Sequence, residues 1–428
     1  MPSLFAKALV YVSCLALFIV ATAEAVDAFG RPMLYASGPS LDMLQFKRDL
    51  TIGIVWMALS VGMASYGFFI RRRPALHASI VVLGFSLLYA GLRSFAYEPI
   101  GNFALFLNYR VFTLVLLLAG TAGHIFLWKR FQTDVPRGGN MLTILSLVIV
   151  ALLFIFLTSE TFDGFENHLI DLTGDVFELL SFKRILTLAL VWTTYSVAVT
   201  WYGLTRKHKL ITYAGIGIMA LGFVTGLLRS TWYSPLDYFF PILNYRFLTL
   251  CLLTIGAVVL LLLWRKFSRD SRLGTNLTSA LGLLIVALMF VLFTSETIDY
   301  YEHQIVPIEV KLLDAWNSDL NVLANSLRNQ QQLTLSGVWL VYSIVLMIVG
   351  IWRRRRNIRM VAIGLFGLTI LKIFIYDLSF LETLYRIFSF MGLGVILLGV
   401  SYLYQRYKSI ILEDEQKEAA EVNEATAV

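Results

Sequence analysis

Long apolar runs separated by short polar segments make up most of this chain. The runs are about 18–22 residues long, which is enough for a helix to cross a hydrocarbon core of about 30 Å. They predict an all-α polytopic membrane protein with twelve transmembrane helices. Their expected positions are residues 4–24, 50–70, 75–95, 104–128, 141–160, 185–204, 209–229, 240–264, 277–296, 333–352, 359–376 and 381–404.

The composition supports this class. Of the 428 residues 58% are hydrophobic and 15% are charged, and the mean hydropathy is +0.74. A soluble protein of this length would carry far more charge on its surface. The two cysteines, Cys14 and Cys251, lie within apolar runs and indicate no disulfide framework. We expect no metal site and no cofactor.

Three blocks of the sequence share the same internal spacings. Each contains a tryptophan (Trp56, Trp192 or Trp339) with a threonine five residues before it and a glycine eleven residues after it. A basic cluster, RRR, TRKHK or WRRRR, follows each glycine. Such self-similarity is typical of tandem repeats. We therefore predict three parallel four-helix repeats at 1–136, 137–272 and 273–410, followed by an acidic tail at 411–428.

The first apolar run resembles a secretory signal peptide, because small residues follow it at 21–23. The repeat favours another interpretation. Glu24 precedes Trp56 by 32 residues, as Glu160 precedes Trp192. We therefore expect this run to be the first helix of the first repeat.

Charge gives the orientation. The basic clusters fall in short loops on the side that holds both termini, so the positive-inside rule places both termini in the cytoplasm. The opposite ends of the helices are called the outer ends below. The net charge of +7 thus reflects topology, and we expect no nucleic-acid partner. The outer segments 161–183 and 297–332 are compatible with short amphipathic helices on the membrane surface.

Three kinds of polar position recur at the predicted outer ends. One is a glutamate followed three residues later by an aspartate (Asp27, Asp163 or Asp299). Another is a cation four residues before a tyrosine, and the third is an arginine that lies 18 residues before an aromatic residue. The resulting candidate binding residues are Glu24, Glu160, Glu296, Arg93, Tyr97, Arg229, Tyr233, Lys372, Tyr376, Arg110, Arg246 and Arg386.

These positions allow two interpretations. In the structural one, the glutamate of each repeat pairs with the arginine of the same repeat and fixes helix packing. In the functional one, the sets converge on an outward-facing cavity that binds a polar or anionic group. A third alternative is an enzyme that uses Glu160 or Glu296 with His168 or His303. We assign no catalytic residue.

The C-terminal block also resembles a known family. Its Trp339 helix, the turn at 353–356, Lys372 with Tyr376, Tyr385–Arg386 and the glycines at 392 and 394 are similar to bacterial predicted membrane proteins grouped as a domain of unknown function. The resemblance implies a multi-pass protein of the bacterial inner membrane. It brings no activity and no site residue.

The leading hypothesis from these observations is a non-enzymatic protein of the cell envelope. It would bind or translocate a polar substrate, such as a glycan or a lipid-linked molecule, near the outer leaflet, and its partners would be that substrate and the lipid bilayer. A membrane-embedded enzyme that modifies an envelope glycan or lipid and a non-catalytic scaffold are the alternatives. The sequence leaves the oligomeric state open.

Overall fold

The structure is a computed structural model that describes residues 4–95, 104–131, 138–169, 172–232, 240–267, 272–314 and 318–377, with scattered positions from 387 to 405. These residues contain helices and turns and no strand. The helices are α1 Leu4–Leu34, α2 Pro39–Phe69, α3 Arg73–Phe95, α4 Tyr109–Arg130, α5 Gly138–Leu169, α6 Asp175–Thr205, α7 Lys209–Trp232, α8 Tyr245–Phe267, α9 Arg272–Asp314, α10 Ser318–Trp352 and α11 Arg356–Ile375.

The all-helical, multi-pass class is confirmed. Ten of the helices in the described part of the chain are long and apolar enough to cross a membrane. The count differs from the expected twelve, because the structure gives eleven helices and the predicted twelfth segment, 381–404, lies largely outside the described residues. The division into three four-helix repeats therefore stays a prediction.

The chain divides into two units, Met1–Gly226 and Leu227–Val428. In the first unit α2 packs against α1, α3 and α4, and α5 packs against α4 and α6. Its apolar core includes Leu50 of α2, Leu83 of α3, Leu114 of α4 and Leu145 of α5. In the second unit α9 packs against α8 and α10, and α10 packs against α11.

The basic clusters form tight turns at the inner ends of three helix pairs. In each turn one basic residue has a left-handed backbone. The N–H of the next residue donates to the carbonyl of the glycine that stands eleven residues after the tryptophan. At α6–α7, for example, Lys207 has φ 56° and His208 N–H donates to Gly203 O at 2.8 Å. A Cβ on Gly203 would lie 2.6 Å from Thr212 N, so the close approach of α6 and α7 requires glycine.

The three tryptophans that mark the predicted repeats make the same hydrogen bond. Each indole N–H donates to a threonine hydroxyl on the preceding helix of its hairpin. The bonds are Trp56 Nε1 to Thr22 (2.8 Å), Trp192 Nε1 to Thr158 (2.9 Å) and Trp339 Nε1 to Thr294 (3.1 Å). A buried indole usually finds such a partner, and here the bond joins two helices at a fixed height.

The outer segments differ from the expectation of short surface helices. Over the described part of 161–183, α5 continues to Leu169 and α6 begins at Asp175, and within 297–332, α9 continues to Asp314 and α10 begins at Ser318. With 43 residues α9 is about 64 Å long at 1.5 Å per residue, which is well beyond a hydrocarbon core of about 30 Å. The outer parts of α9 and α10 are joined by an exposed ion pair, Arg328–Glu309.

Candidate functional site

At the outer end of α4, a short loop and the first turn of the helix bind two carboxylates of α5. Glu160 accepts hydrogen bonds from Phe106 N–H (2.8 Å) and from the Asn108 side-chain amide (2.7 Å). One turn further out, Arg110 Nη1 donates to Asp163 Oδ2 at 2.5 Å. We call these five residues the first acid–arginine cluster. It joins α4 to α5 through an ion pair in which both side chains are only 3% exposed.

The second acid–arginine cluster joins α8 to α9 in the same way, 136 residues later. Glu296 accepts from Ile242 N–H (2.7 Å) and from the Asn244 amide (2.8 Å). Arg246 Nη1 donates to Asp299 Oδ1 at 2.6 Å, and both side chains are buried. Because every contact recurs at this spacing, we interpret the cluster as a regular structural feature that joins neighbouring helices.

Local backbone structure directs the donors at the glutamates. Phe106 and Ile242 have positive φ values of 62° and 71°, which are uncommon for residues other than glycine. Asn108 caps α4 by accepting from Val111 N–H at 2.8 Å while its amide donates to Glu160. One asparagine therefore starts the helix and binds the neighbouring helix.

The structure corrects the expected pairing. In the structural interpretation, each glutamate pairs with the arginine of its own predicted repeat. Instead Arg110, within 1–136, pairs with an aspartate within 137–272, and Arg246 pairs with one within 273–410. The reason is that α4 packs on α5 and α8 packs on α9, so the contacts cross the predicted repeat boundaries. The glutamates bind the amide and the backbone instead of an arginine.

Arg93 occupies a different position, at the outer end of α3. Its Nε lies 2.9 Å from Asp49 Oδ2, and the guanidinium of Arg48 donates to Asp49 Oδ1 at 2.9–3.0 Å. The Tyr89 side chain lies within interaction range of Asp49 and Arg93. Asp49 is 4% exposed, whereas the side chains of Arg48 and Arg93 are 30% and 50% exposed. Among the described ion pairs, these two guanidinium groups share one carboxylate, so the cluster keeps excess positive charge.

Lys372 of α11 is held by three partners. Its ammonium group donates to Gln332 O (3.0 Å), Ser336 Oγ (2.7 Å) and Asp377 Oδ1 (2.9 Å). An ammonium group has three donors, so all of them are used within the protein. Tyr376 is half exposed beside it, with its ring centroid 5.8 Å from the Lys372 nitrogen. This arrangement favours a structural role for Lys372.

The remaining candidates are placed as follows. Glu24 is exposed on α1, and Arg229 is partly buried near the end of α7. Tyr97, Tyr233 and Arg386 lie outside the described residues. The described residues bring Arg110 and Glu160 into one cluster in the first unit, and Arg246 and Glu296 into another cluster in the second unit.

The alternative of a Glu–His catalytic pair gains no support from these contacts. Both oxygens of Glu160 and both oxygens of Glu296 accept hydrogen bonds from the preceding loop. His168 is exposed near the end of α5. In the described part of the chain, no group of three His, Cys, Asp or Glu side chains is close enough to hold a metal ion.

Several residues of these sites carried no clear signal in the sequence. Asn108 and Asn244 stand two residues before Arg110 and Arg246, and nothing in the sequence indicates that either asparagine binds a glutamate. Asp49 lies within KRDL, where a single acid between basic and apolar residues resembles an ordinary helix end. Its spacing of 44 residues from Arg93 becomes meaningful only when α2 and α3 are known to form a hairpin.

Comparison with known proteins agrees with the resemblance of the C-terminal block. A family described as "Predicted membrane protein (DUF2339)" matches residues 223–407, which confirms that resemblance. No curated protein and no solved structure matches the chain. The chain is therefore a membrane protein whose C-terminal part is similar to a family without an assigned function.

Proposed function

We propose that this protein binds an anionic, polar or lipid-linked component of the cell envelope at its outer end, without catalysing a reaction. The proposed setting is a bacterial inner membrane with both termini in the cytoplasm. The observation that carries the proposal is the Arg48–Asp49–Arg93 cluster. It combines excess positive charge, two partly exposed arginine side chains and an anchoring carboxylate at one end of the α2–α3 hairpin.

The chemistry of this cluster suits a phosphate or carboxylate group. Arginine presents a planar fork that binds such groups through two parallel hydrogen bonds. Asp49 holds Arg93 through Nε, so the guanidinium is oriented before a ligand arrives, and less side-chain entropy is lost on binding. A lipid-linked phosphate would place its charged group at this height and its chain in the bilayer.

Binding of a polyisoprenyl phosphate by the purified protein tests the proposal, with the corresponding polyisoprenol as the uncharged probe. Native mass spectrometry measures both. We expect Arg93→Gln to weaken binding of the phosphate by about 10- to 100-fold, because a hydrogen bond to a charged group contributes about 1.5–3 kcal/mol. Arg72→Gln is the matched control, because Arg72 is exposed in the inner turn between α2 and α3.

Two results would remove the proposal. One is equal binding of the phosphate and the alcohol by the unchanged protein. The other is an Arg93→Gln variant that is folded and binds the phosphate as tightly as the Arg72→Gln control.

A scaffold role is the second candidate, and the two acid–arginine clusters favour it. Their arginine–aspartate pairs join neighbouring helices, and the paired side chains are buried, so these charges are not exposed to a ligand. For a pure scaffold, Arg93→Gln would leave binding of the phosphate and the free energy of unfolding unchanged, while Arg110→Gln would lower the free energy of unfolding by about 3–5 kcal/mol.

A further inference from the structure

One face of helix α1 is exposed, whereas the equivalent faces of α5 and α9 are covered by a neighbouring helix. Asp27, Asp163 and Asp299 are 136 residues apart on α1, α5 and α9. The last two are buried, whereas Asp27 is exposed. The apolar residues of the face follow the same pattern. Leu9 is 57% exposed, while its counterparts Leu145 and Leu281 are 1% and 5% exposed.

The cover on α5 and α9 is the same in both cases. It consists of a loop and the helix that directly precedes the covered helix in the chain, with an arginine in the first turn of that helix. Residues 104–130 cover α5, and residues 240–267 cover α9. Each cover supplies a backbone N–H and an asparagine amide to the glutamate, and an arginine to the aspartate. The acidic face of such a helix therefore binds one specific kind of element.

On α1 the two acidic side chains of this face, Glu24 and Asp27, are exposed. Neither Glu24 nor Asp27 makes a hydrogen bond or ion pair with another residue in the described ranges. A groove of about 430 Å³ lies beside Asp27 and is lined by Phe18, Ile19, Thr22, Ala23, Val26 and Asp27. The indole of Trp56, hydrogen-bonded to Thr22, holds α1 against α2 and leaves the groove accessible.

Lipid can cover the apolar part of this face at no cost, because it is as apolar as leucine. Lipid chains cannot satisfy the two carboxylates, and charged side chains near a membrane normally pair with one another. The missing occupant is therefore cationic, and α5 and α9 indicate an arginine at the start of a helix. In this chain Arg386 has the sequence position of such an arginine, 18 residues before Tyr404, as Arg110 stands before Trp128.

We propose that the face of α1 with Glu24 and Asp27 binds the segment around Arg386 of a second copy of this chain. The expected contact is an ion pair between Asp27 and Arg386 across the two copies. Leu384 stands where Asn108 and Asn244 stand in the other elements, so the amide bond to the glutamate is absent from this interface. The contact joins different surfaces of the two copies and is therefore head to tail. It does not depend on the proposed anion binding.

Cross-linking between two differently tagged full-length chains tests this interface. Gly164 and Leu105 give the calibration, since a Cβ on Gly164 would lie 3.3 Å from Leu105 Cδ1. The equivalent positions are Ala28 and Leu381. In a background with Cys14→Ser and Cys251→Ser, one chain carries Ala28→Cys and the other carries Leu381→Cys. The charges of the proposed ion pair remain intact.

We expect a short bis-maleimide to give a product that carries both tags in native membranes. Asp27→Asn should reduce its yield about tenfold, corresponding to about 1.4 kcal/mol. Asp27→Arg should abolish it, and Arg386→Asp in the other chain should restore it.

Three outcomes would overturn the proposal. The first is the absence of a two-tag product under conditions in which Leu105→Cys and Gly164→Cys cross-link within one chain. The second is a product that forms only when both cysteines are in the same chain. The third is a two-tag product whose yield is unaffected by Asp27→Arg, because that product would reflect random collision.

Discussion

Asp163→Asn removes one charge from the first acid–arginine cluster with almost no change in shape. In the native protein, Arg110 Nη1 donates to Asp163 Oδ2 at 2.5 Å, and the Arg110 guanidinium also lies 5.8 Å from the centre of the Phe46 ring. Both charged side chains are 3% exposed. After the substitution the guanidinium stays buried between α4 and α5 without its carboxylate.

The expected loss of stability is about 3–5 kcal/mol, because removing one partner of a buried ion pair leaves an uncompensated charge. The buried ion pair itself is worth much less than this, since desolvation offsets most of its attraction. A double variant, Arg110→Met with Asp163→Leu, should therefore recover most of the loss.

Reversible unfolding in mixed micelles, followed by tryptophan fluorescence, measures both effects. Glu309→Gln is the matched control, because it makes the same carboxylate-to-amide change in the exposed Arg328–Glu309 pair. Exposed pairs contribute about 0–1 kcal/mol. The reasoning is refuted if Asp163→Asn costs no more than Glu309→Gln, or if the double variant is less stable than Asp163→Asn alone.

Two further substitutions test the packing of α6. Gly203→Ala should destabilise the protein by about 1–3 kcal/mol through overpacking against Thr212. Gly217→Ala is the control, because no atom lies within 4 Å of the added Cβ, and it should leave stability unchanged or raise it by about 0.5–1 kcal/mol. Equal effects of the two substitutions in thermal unfolding would contradict the close approach of α6 and α7. Trp192→Phe removes the hydrogen bond from the indole to Thr158 of α5 and should lower stability by about 1 kcal/mol. Trp201 is exposed, so Trp201→Phe is the control and should change stability by less than about 0.5 kcal/mol in the same assay.

The apolar runs were sufficient to predict most of the helices, because a helix that spans a membrane must satisfy its own backbone and present apolar side chains along about 20 residues. The same signal ends where the membrane ends. It therefore missed the outward continuation of α9 to Asp314, where polar residues occupy positions that a helix in water tolerates.

The pairing of charges could not be derived from spacing alone. The sequence placed Arg110 and Glu160 at the outer ends of two helices, but it did not indicate that α4 packs on α5 across the predicted repeat boundary. Nor did it indicate that Asp163, one turn further along, takes the arginine while Asn108 takes the glutamate. These choices depend on the height of each residue on neighbouring helices, which is a property of the packed structure.

The central claim is that the outer charges serve two purposes, with Arg110 holding helices together and Arg93 remaining available to a ligand. Arg93→Gln and Arg110→Gln, compared for both unfolding free energy and binding of a polyisoprenyl phosphate, test it most directly. We predict that the unfolding free energy of Arg93→Gln stays within about 1 kcal/mol of that of the unchanged protein, because Asp49 keeps its ion pair with Arg48. The same variant should no longer bind the phosphate. Arg110→Gln should lose about 3–5 kcal/mol. A stable Arg110→Gln variant that no longer binds the phosphate, beside an Arg93→Gln variant that still binds it, would contradict the account.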